Sequence, residues 1–192
     1  MIEIFDDVLD EDNARYIHNC VEGLSWKFEY QPTTHLLNKH WCNNFPAPGM
    51  IPTNIWPDQL FKDIVDGLEL RGIDSIKAQY CLGHTFGLEQ QPHYDACDFT
   101  MIYYSKLDWL PEWGGGTLIE DTLVSYKGNR LVMFSCDQIH QGQSISKQCY
   151  ELRPIVVYQC YAESAMIENE RVLTIDEKRG KMLLLNDTRK VE

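Results

Sequence analysis

The chain has 192 residues, 44% of them hydrophobic and 24% charged, and a formal net charge of −12. That length allows one domain with a full core, and the acidic balance argues against the Lys/Arg-driven phosphate binding on which nucleic-acid proteins rely. No apolar run approaches the roughly 18 residues of a membrane helix, and the acidic start, with Glu3, Asp6 and Asp7, lacks the basic and apolar regions of a secretory signal. Seven cysteines, odd in number and without a C-x-x-C, predict reduced thiols and a cytoplasmic protein.

Residues 2–9 alternate loosely about Ile2, Ile4, Phe5, Val8 and Leu9. Asp10 or Asp12 is placed to cap a helix over about 11–23, with Ala14, Ile17, Val21 and Leu24 at helical spacing and Gly23 as the stop. His18 lies near that apolar face and reads as a structural histidine. Residues 26–57 interleave Pro32, Pro46, Pro48, Pro52 and Pro57 with Trp26, Phe28, Tyr30, Trp41, Phe45 and Trp56. So many prolines predict a packed aromatic loop without regular sheet or helix, either covering a ligand pocket or plugging one end of a sheet. His35 and His40 within it show no zinc-site spacing.

Residues 58–70 read as a second helix, with Leu60, Ile64, Val65 and Leu68 on one side and Gly72 beyond its end. From Ile76 the pattern turns to β: 76–81, 99–105, 117–120, 123–126, 130–135 and 152–161 read as strands. Gly128-Asn129 marks a tight hairpin between the fourth and fifth of these. Pro154 marks the start of the last strand as an edge or a bulge. The segments 171–175 and 181–185 suggest a hairpin about Gly180. Many short strands at this spacing predict an antiparallel sandwich or barrel with the helices packed outside, a jelly roll whose mouth suits a buried metal and a small ligand. The expected organisation is one domain: a helical lead-in and Pro/aromatic-rich loop over 1–75, a β core over 76–161 and an extension over 162–192.

The chemistry centres on Pro92-His93-Tyr94-Asp95. His93 and Asp95 are two apart, so at a strand end both side chains point to one side and reach one ion together. His140, beyond the later strands, completes two imidazoles and a carboxylate, the facial set that leaves open positions on a non-haem Fe(II). Arg153 follows after a polar loop. Cys97, beside the segment, reads as a small packing residue.

From about residue 76 to 161 the chain resembles the 2-oxoglutarate/Fe(II)-dependent dioxygenases, in their prolyl-hydroxylase-like branch. The residues that carry the resemblance are His93-Tyr94-Asp95, Ile102-Tyr103-Tyr104, Asp108-Trp109, Trp113-Gly114-Gly115-Gly116, Val132-Met133-Phe134-Ser135, His140 and Arg153. The resemblance implies a mostly β, double-stranded β-helix (a jelly-roll, cupin-like barrel) with Fe(II) on His93, Asp95 and His140. It implies 2-oxoglutarate as cosubstrate, its distal carboxylate on Arg153 and shared by Tyr104, with Tyr80 lining the pocket. O2 and, as a candidate reductant, ascorbate come with it. The implied reaction hydroxylates a C–H bond, of a prolyl residue in a peptide or protein or of a small metabolite, and releases succinate and CO2. The spacing from His140 to Arg153 is longer than usual in the family, so 141–150 is expected to bulge; Lys147 within it is the alternative cation. Two other readings fit parts of the pattern: a non-catalytic jelly-roll binding module, and a cupin-like metal protein that ignores 2-oxoglutarate.

Overall fold

The computed structural model describes residues 2–30, 39–46, 55–88 and 90–162. His35 and the segments about Gly180 lie outside the described residues. In chain order the elements are β1 (Ile2–Asp6), α1 (Glu11–Glu22), β2 (Lys27–Tyr30), β3 (Lys39–Phe45), α2 (Trp56–Gly67), β4 (Ile73–His84), β5 (Phe99–Tyr104), a 3-10 turn (Pro111–Trp113), β6 (Thr117–Ile119), β7 (Thr122–Val124), β8 (Arg130–Ser135), β9 (His140–Gly142) and β10 (Arg153–Ala162). The major sheet has the order β1-β8-β5-β10-β4-β3-β2, and the minor sheet the order β7-β6-β9. The fold is a mostly β jelly roll with two flanking helices, as the strand pattern predicts.

Each layer follows from its sequence. The Asp10 carboxylate accepts from the Asn13 backbone N–H at 2.9 Å and caps α1, whose stripe Ala14, Ile17 and Val21 is buried. Pro57 sits in the first turn of α2, where its missing N–H is not needed, and Leu60 and Ile64 are buried. Both stripes pack with Cys81, Met101, Tyr103, Leu131, Val156 and Tyr158 on the outer face of the major sheet. The inner face, including Leu82, Ile102, Val132, Phe134 and Ile155, packs with Ile119 and Val124 of the minor sheet. Successive strand residues point to opposite faces and both faces are covered, which is why β10 contains the unbroken apolar run Ile155-Val156-Val157-Tyr158.

The structure corrects two expectations. Residues 26–57 are not a loop throughout: β2 pairs with β3, and β3 extends the major sheet from β4. Among the described residues of that stretch, Pro46 follows β3 and Pro57 opens α2, so these prolines punctuate elements rather than interrupt them. Gly128-Asn129 does not close a hairpin, because β7 pairs with β6 while β8 pairs with β5 and β1. The turn carries the chain from one sheet to the other, and Asn129 (φ 61°) fixes the entry to α1 through its side chain, bonded to Leu9 N at 3.1 Å and Leu9 O at 2.8 Å. β10 is the fourth of seven strands, and its start is an edge on one side, as Pro154 predicts. Pro154 is accommodated because pairing with β5 begins only at Ile155. Its carbonyl accepts from Tyr126 OH at 2.7 Å on that unpaired side, and a strand residue's N–H and C=O share a side, so no ladder bond is lost.

Candidate metal and cosubstrate site

A single backbone rung brings the distant histidines together. His93 N–H donates to His140 O and His140 N–H to His93 O, both at 3.0 Å. The rung ties the loop after β4 to the first residue of β9 and leaves the two ring centroids 4.3 Å apart. Asp95, two residues on, turns its carboxylate to the same side, with Oδ2 3.5 Å from His140 Nε2 and Oδ1 3.9 Å from His93 Nε2. The three candidate ligand atoms lie within 4.8 Å of one another, and all three residues are buried.

The surrounding bonds orient this group. His93 Nδ1 lies 2.9 Å from Gln91 O, and His140 Nδ1 lies 3.2 Å from Gln138 O. A carbonyl oxygen only accepts, so each Nδ1 carries the hydrogen and each Nε2 keeps a lone pair for the centre. Asp95 Oδ1 accepts from Gln159 Nε2 at 2.9 Å and Oδ2 from Thr100 Oγ1 at 2.5 Å. Burial pushes the Asp95 carboxyl up, but the imidazoles of His140 and His93 and the Thr100 hydroxyl outweigh it and hold it well below the usual range. Burial, then the neighbouring His140, lowers His93 to about 4, against the pull of Asp95. At neutral pH this leaves an ionised Asp95 beside a neutral His93, the states in which carboxylate and imidazole ligate metals.

The depressed His93 value makes the metal-free protein acid-sensitive. Between about 4 and 6.5 the unfolded imidazole is protonated and the folded one is not. The stabilising contribution is therefore complete above about pH 6.5 and is lost as pH falls towards 4, amounting to roughly 3 kcal/mol. Thermal melts of metal-free protein should show Tm falling across that window, with a shallower fall in His93→Gln; identical slopes in the two chains would contradict the assignment.

Arg153, the first residue of β10, is fully buried. Its Nε donates to Gly115 O, and Nη2 donates to Gly116 O and Thr117 Oγ1, each at 3.2 Å. Its Nη1 has no partner. Gly115, at φ 73°, is required here: a Cβ would stand 2.9 Å from Arg153 Cδ. One small cavity between the sheets is lined by His93, Asp95 and His140 and by Thr117 and Arg153, and Tyr80 also lines it. Tyr104 does not line the cavity; it donates to Thr117 Oγ1 at 2.8 Å. Thr117 accepts from both Tyr104 and Arg153, which leaves its own hydrogen for a ligand. Lys147 is exposed on the loop after β9 and does not line the cavity.

Sequence reasoning missed Thr100, Gln159 and Thr117. Each occupies an inward position of a strand, and a polar residue at such a position in an otherwise apolar alternation was the available signal. The reduced state expected of all seven cysteines is also corrected: Cys97 and Cys136 form a disulfide, while Cys20, Cys42, Cys81, Cys149 and Cys160 are free. The β5/β8 register, with Phe99 opposite Ser135, carries these two cysteines together across 39 residues of sequence. Thr100 Oγ1, which holds Asp95, lies 3.5 Å from one sulfur and 3.3 Å from the other. The cytoplasmic expectation drew on all seven thiols being reduced, and that premise does not hold. No described helix is long and apolar enough to cross a membrane. A roomier cleft of about 960 Å³ is lined by Gly114, Gly115 and Gly116, but its charged side chains include Asp7, Lys127 and Arg130, which are already paired among themselves or with Asp6.

No protein-family model matches the chain, and no curated protein sequence matches it. Solved structures do match. A Pseudomonas putida prolyl-4-hydroxylase aligns with TM-score 0.56 at 15% identity, over 84% of this chain and 93% of that one. A Trichoplax adhaerens prolyl hydroxylase, solved with a hypoxia-inducible-factor oxygen degradation domain peptide, aligns with TM-score 0.61 at 13% identity, over 88% and 87%. The chain has the prolyl-hydroxylase-like jelly-roll fold. HygX from Streptomyces hygroscopicus, solved with nickel and 2-oxoglutarate, aligns with TM-score 0.59 at 8% identity, over 85% of this chain and 83% of that one. At these identities the likeness is one of fold. On this prolyl-hydroxylase-like fold the cavity lies between the major and minor sheets, lined by strands of both.

Proposed function

We propose that the chain is an Fe(II)- and 2-oxoglutarate-dependent dioxygenase that hydroxylates a C–H bond, with a prolyl residue of a peptide or protein as the favoured substrate. The observation that carries this reading is one buried cavity lined both by a two-histidine, one-carboxylate cluster and by an arginine whose Nη1 has no partner. A cupin-like metal protein would have no use for that buried cation. His93, Asp95 and His140 would hold Fe(II) through Nε2, a carboxylate oxygen and Nε2. Bound there, the metal with 2-oxoglutarate and O2 supplies the oxidising power that inserts oxygen into the C–H bond and leaves succinate and CO2.

The protein's own part is to position and to shelter. Thr100 and Gln159 each fix one oxygen of Asp95, and the Gln91 and Gln138 carbonyls fix the two rings. Arg153 and Thr117 offer donors for the cosubstrate's distal carboxylate, where a guanidinium makes charge-assisted bonds. Leu82, Ile102, Ile155 and Val157 line the cavity with apolar surface and exclude water. The prolyl preference draws on the Pseudomonas and Trichoplax neighbours. Purified protein supplied with Fe(II), 2-oxoglutarate, ascorbate and air should release succinate, and mass spectrometry across proline-containing peptides and small metabolites should find a product heavier by one oxygen. Metal-loaded protein that binds peptides but never forms succinate would point to the non-catalytic binding module instead.

A further inference from the structure

Arg153, His84 and His40 form one row across three strands on the inner face of the major sheet. Arg153 is opposite His84 in the β10/β4 register. Trp41 opposite Gly83 places His40 opposite His84 one step further on. The two imidazole centroids lie 5.1 Å apart with the planes tilted by 38°. Each histidine is 1% exposed, and none of the four ring nitrogens has a hydrogen-bond partner. Arg153 Nη1 shares that condition. Five partnerless nitrogens in one buried row call for an explanation, since buried polar groups are otherwise bonded.

The row converges on one rung of the minor sheet. Arg153 donates to Thr117 Oγ1, and the register partner of Thr117 is Gly142 on β9. A Cβ on Gly142 would lie 2.8 Å from His84 Cε1 and 3.2 Å from His84 Nδ1. Gly142 thus leaves a cradle that any other residue would fill, and His84 occupies it. Gln90 Oε1 closes the other side by accepting from the Gly142 N–H at 2.7 Å. Thr117, Gly142, Gln90 and Arg153 all line the cavity that also holds the metal cluster.

We propose that His84, backed by His40, is a second reader of the distal carboxylate of 2-oxoglutarate and so helps set cosubstrate specificity. The proposal rests on the dioxygenase reading. Burial and then the charge of Arg153 hold His84 well below the usual imidazole range, so the ring is neutral and presents one N–H donor and one acceptor. The guanidinium meets the carboxylate's charge, and a neutral donor beside it takes the second oxygen without adding a second buried charge. His40, also lowered by burial, packs its ring 5.1 Å from that of His84, centroid to centroid, and backs it from the far side. A two-sided reader of this kind favours dicarboxylic 2-oxo acids over acids that lack the distal group.

The test uses the full chain loaded with redox-inert Mn(II). Calorimetric titrations with 2-oxoglutarate are compared with titrations with oxalate, which chelates the metal and has no distal carboxylate. His84→Phe keeps the ring shape and removes both nitrogens. It should raise the Kd for 2-oxoglutarate about tenfold or more, the worth of one hydrogen bond to a charged group, and leave the affinities for oxalate and Mn(II) unchanged. His84→Gln, which keeps a neutral donor and acceptor, should recover most of the loss, and His40→Phe should give a smaller shift in the same direction. Equal weakening for both ligands, or an unchanged Kd in a chain whose wild type binds 2-oxoglutarate, overturns the inference. A wild-type chain that holds Mn(II) and ignores 2-oxoglutarate overturns the dioxygenase reading itself.

Discussion

His140→Ala should give a folded chain that no longer holds Fe(II) and releases no succinate. The rung between His140 and His93 is made of backbone bonds, which alanine retains. The ring also packs 4.7 Å from Phe134, centroid to centroid, so its removal leaves a small cavity and costs about 1–3 kcal/mol of stability. Binding suffers far more than folding. Losing an outer partner of a metal ligand already costs roughly 10- to 100-fold in affinity, and the loss of one of three direct ligands should exceed that. Calorimetry with Mn(II) reads the affinity and circular dichroism reads the fold. A variant that kept wild-type affinity would place the metal elsewhere.

Arg153→Met should separate the two functions of the cavity, keeping metal and losing cosubstrate. The side chain is fully buried with only neutral partners, and burial lowers its pKa while the Tyr104 and Tyr126 rings beside it favour the charge. A carboxylate arriving at Nη1 would supply the missing counter-charge. Each hydrogen bond to a charged group contributes about 1.5–3 kcal/mol, so the Kd for 2-oxoglutarate should rise roughly 10- to 150-fold while Mn(II) affinity holds. Thermal shift gives a second reading: 2-oxoglutarate should raise the Tm of metal-loaded wild type and barely move the variant. If Lys147→Met produced the loss instead, the anchor would belong to the loop after β9.

Much of the candidate site was legible because strand geometry has a short period. His93 and Asp95 share a side for the same reason that Arg153, Ile155, Val157 and Gln159 share one. The β-branched and aromatic runs located the strands, and Gly23 and the choice of Asp10 or Asp12 located the ends of α1, with the structure selecting Asp10. What was not legible depends on pairings between distant segments. Nothing local to Cys97 or Cys136 announces a bond that the β5/β8 register creates. The Gly128-Asn129 turn has hairpin chemistry, and only the sheet order shows that it crosses between sheets. The aromatic, proline-spaced stretch concealed β2 and β3 because a proline just after a strand, as Pro46 is, or in the first turn of a helix, as Pro57 is, interrupts neither element. Thr117, which receives the Tyr104 hydroxyl's hydrogen, is a neighbour only folding supplies.

The central claim is that three side chains from separate parts of the chain converge on one ion. Crystals grown with Mn(II) and 2-oxoglutarate, measured for anomalous scattering, address it most directly. The account predicts one strong peak enclosed by His93 Nε2, the Asp95 carboxylate and His140 Nε2, absent from His140→Ala crystals grown alike. Manganese bound elsewhere, with nothing between those three groups, would contradict it.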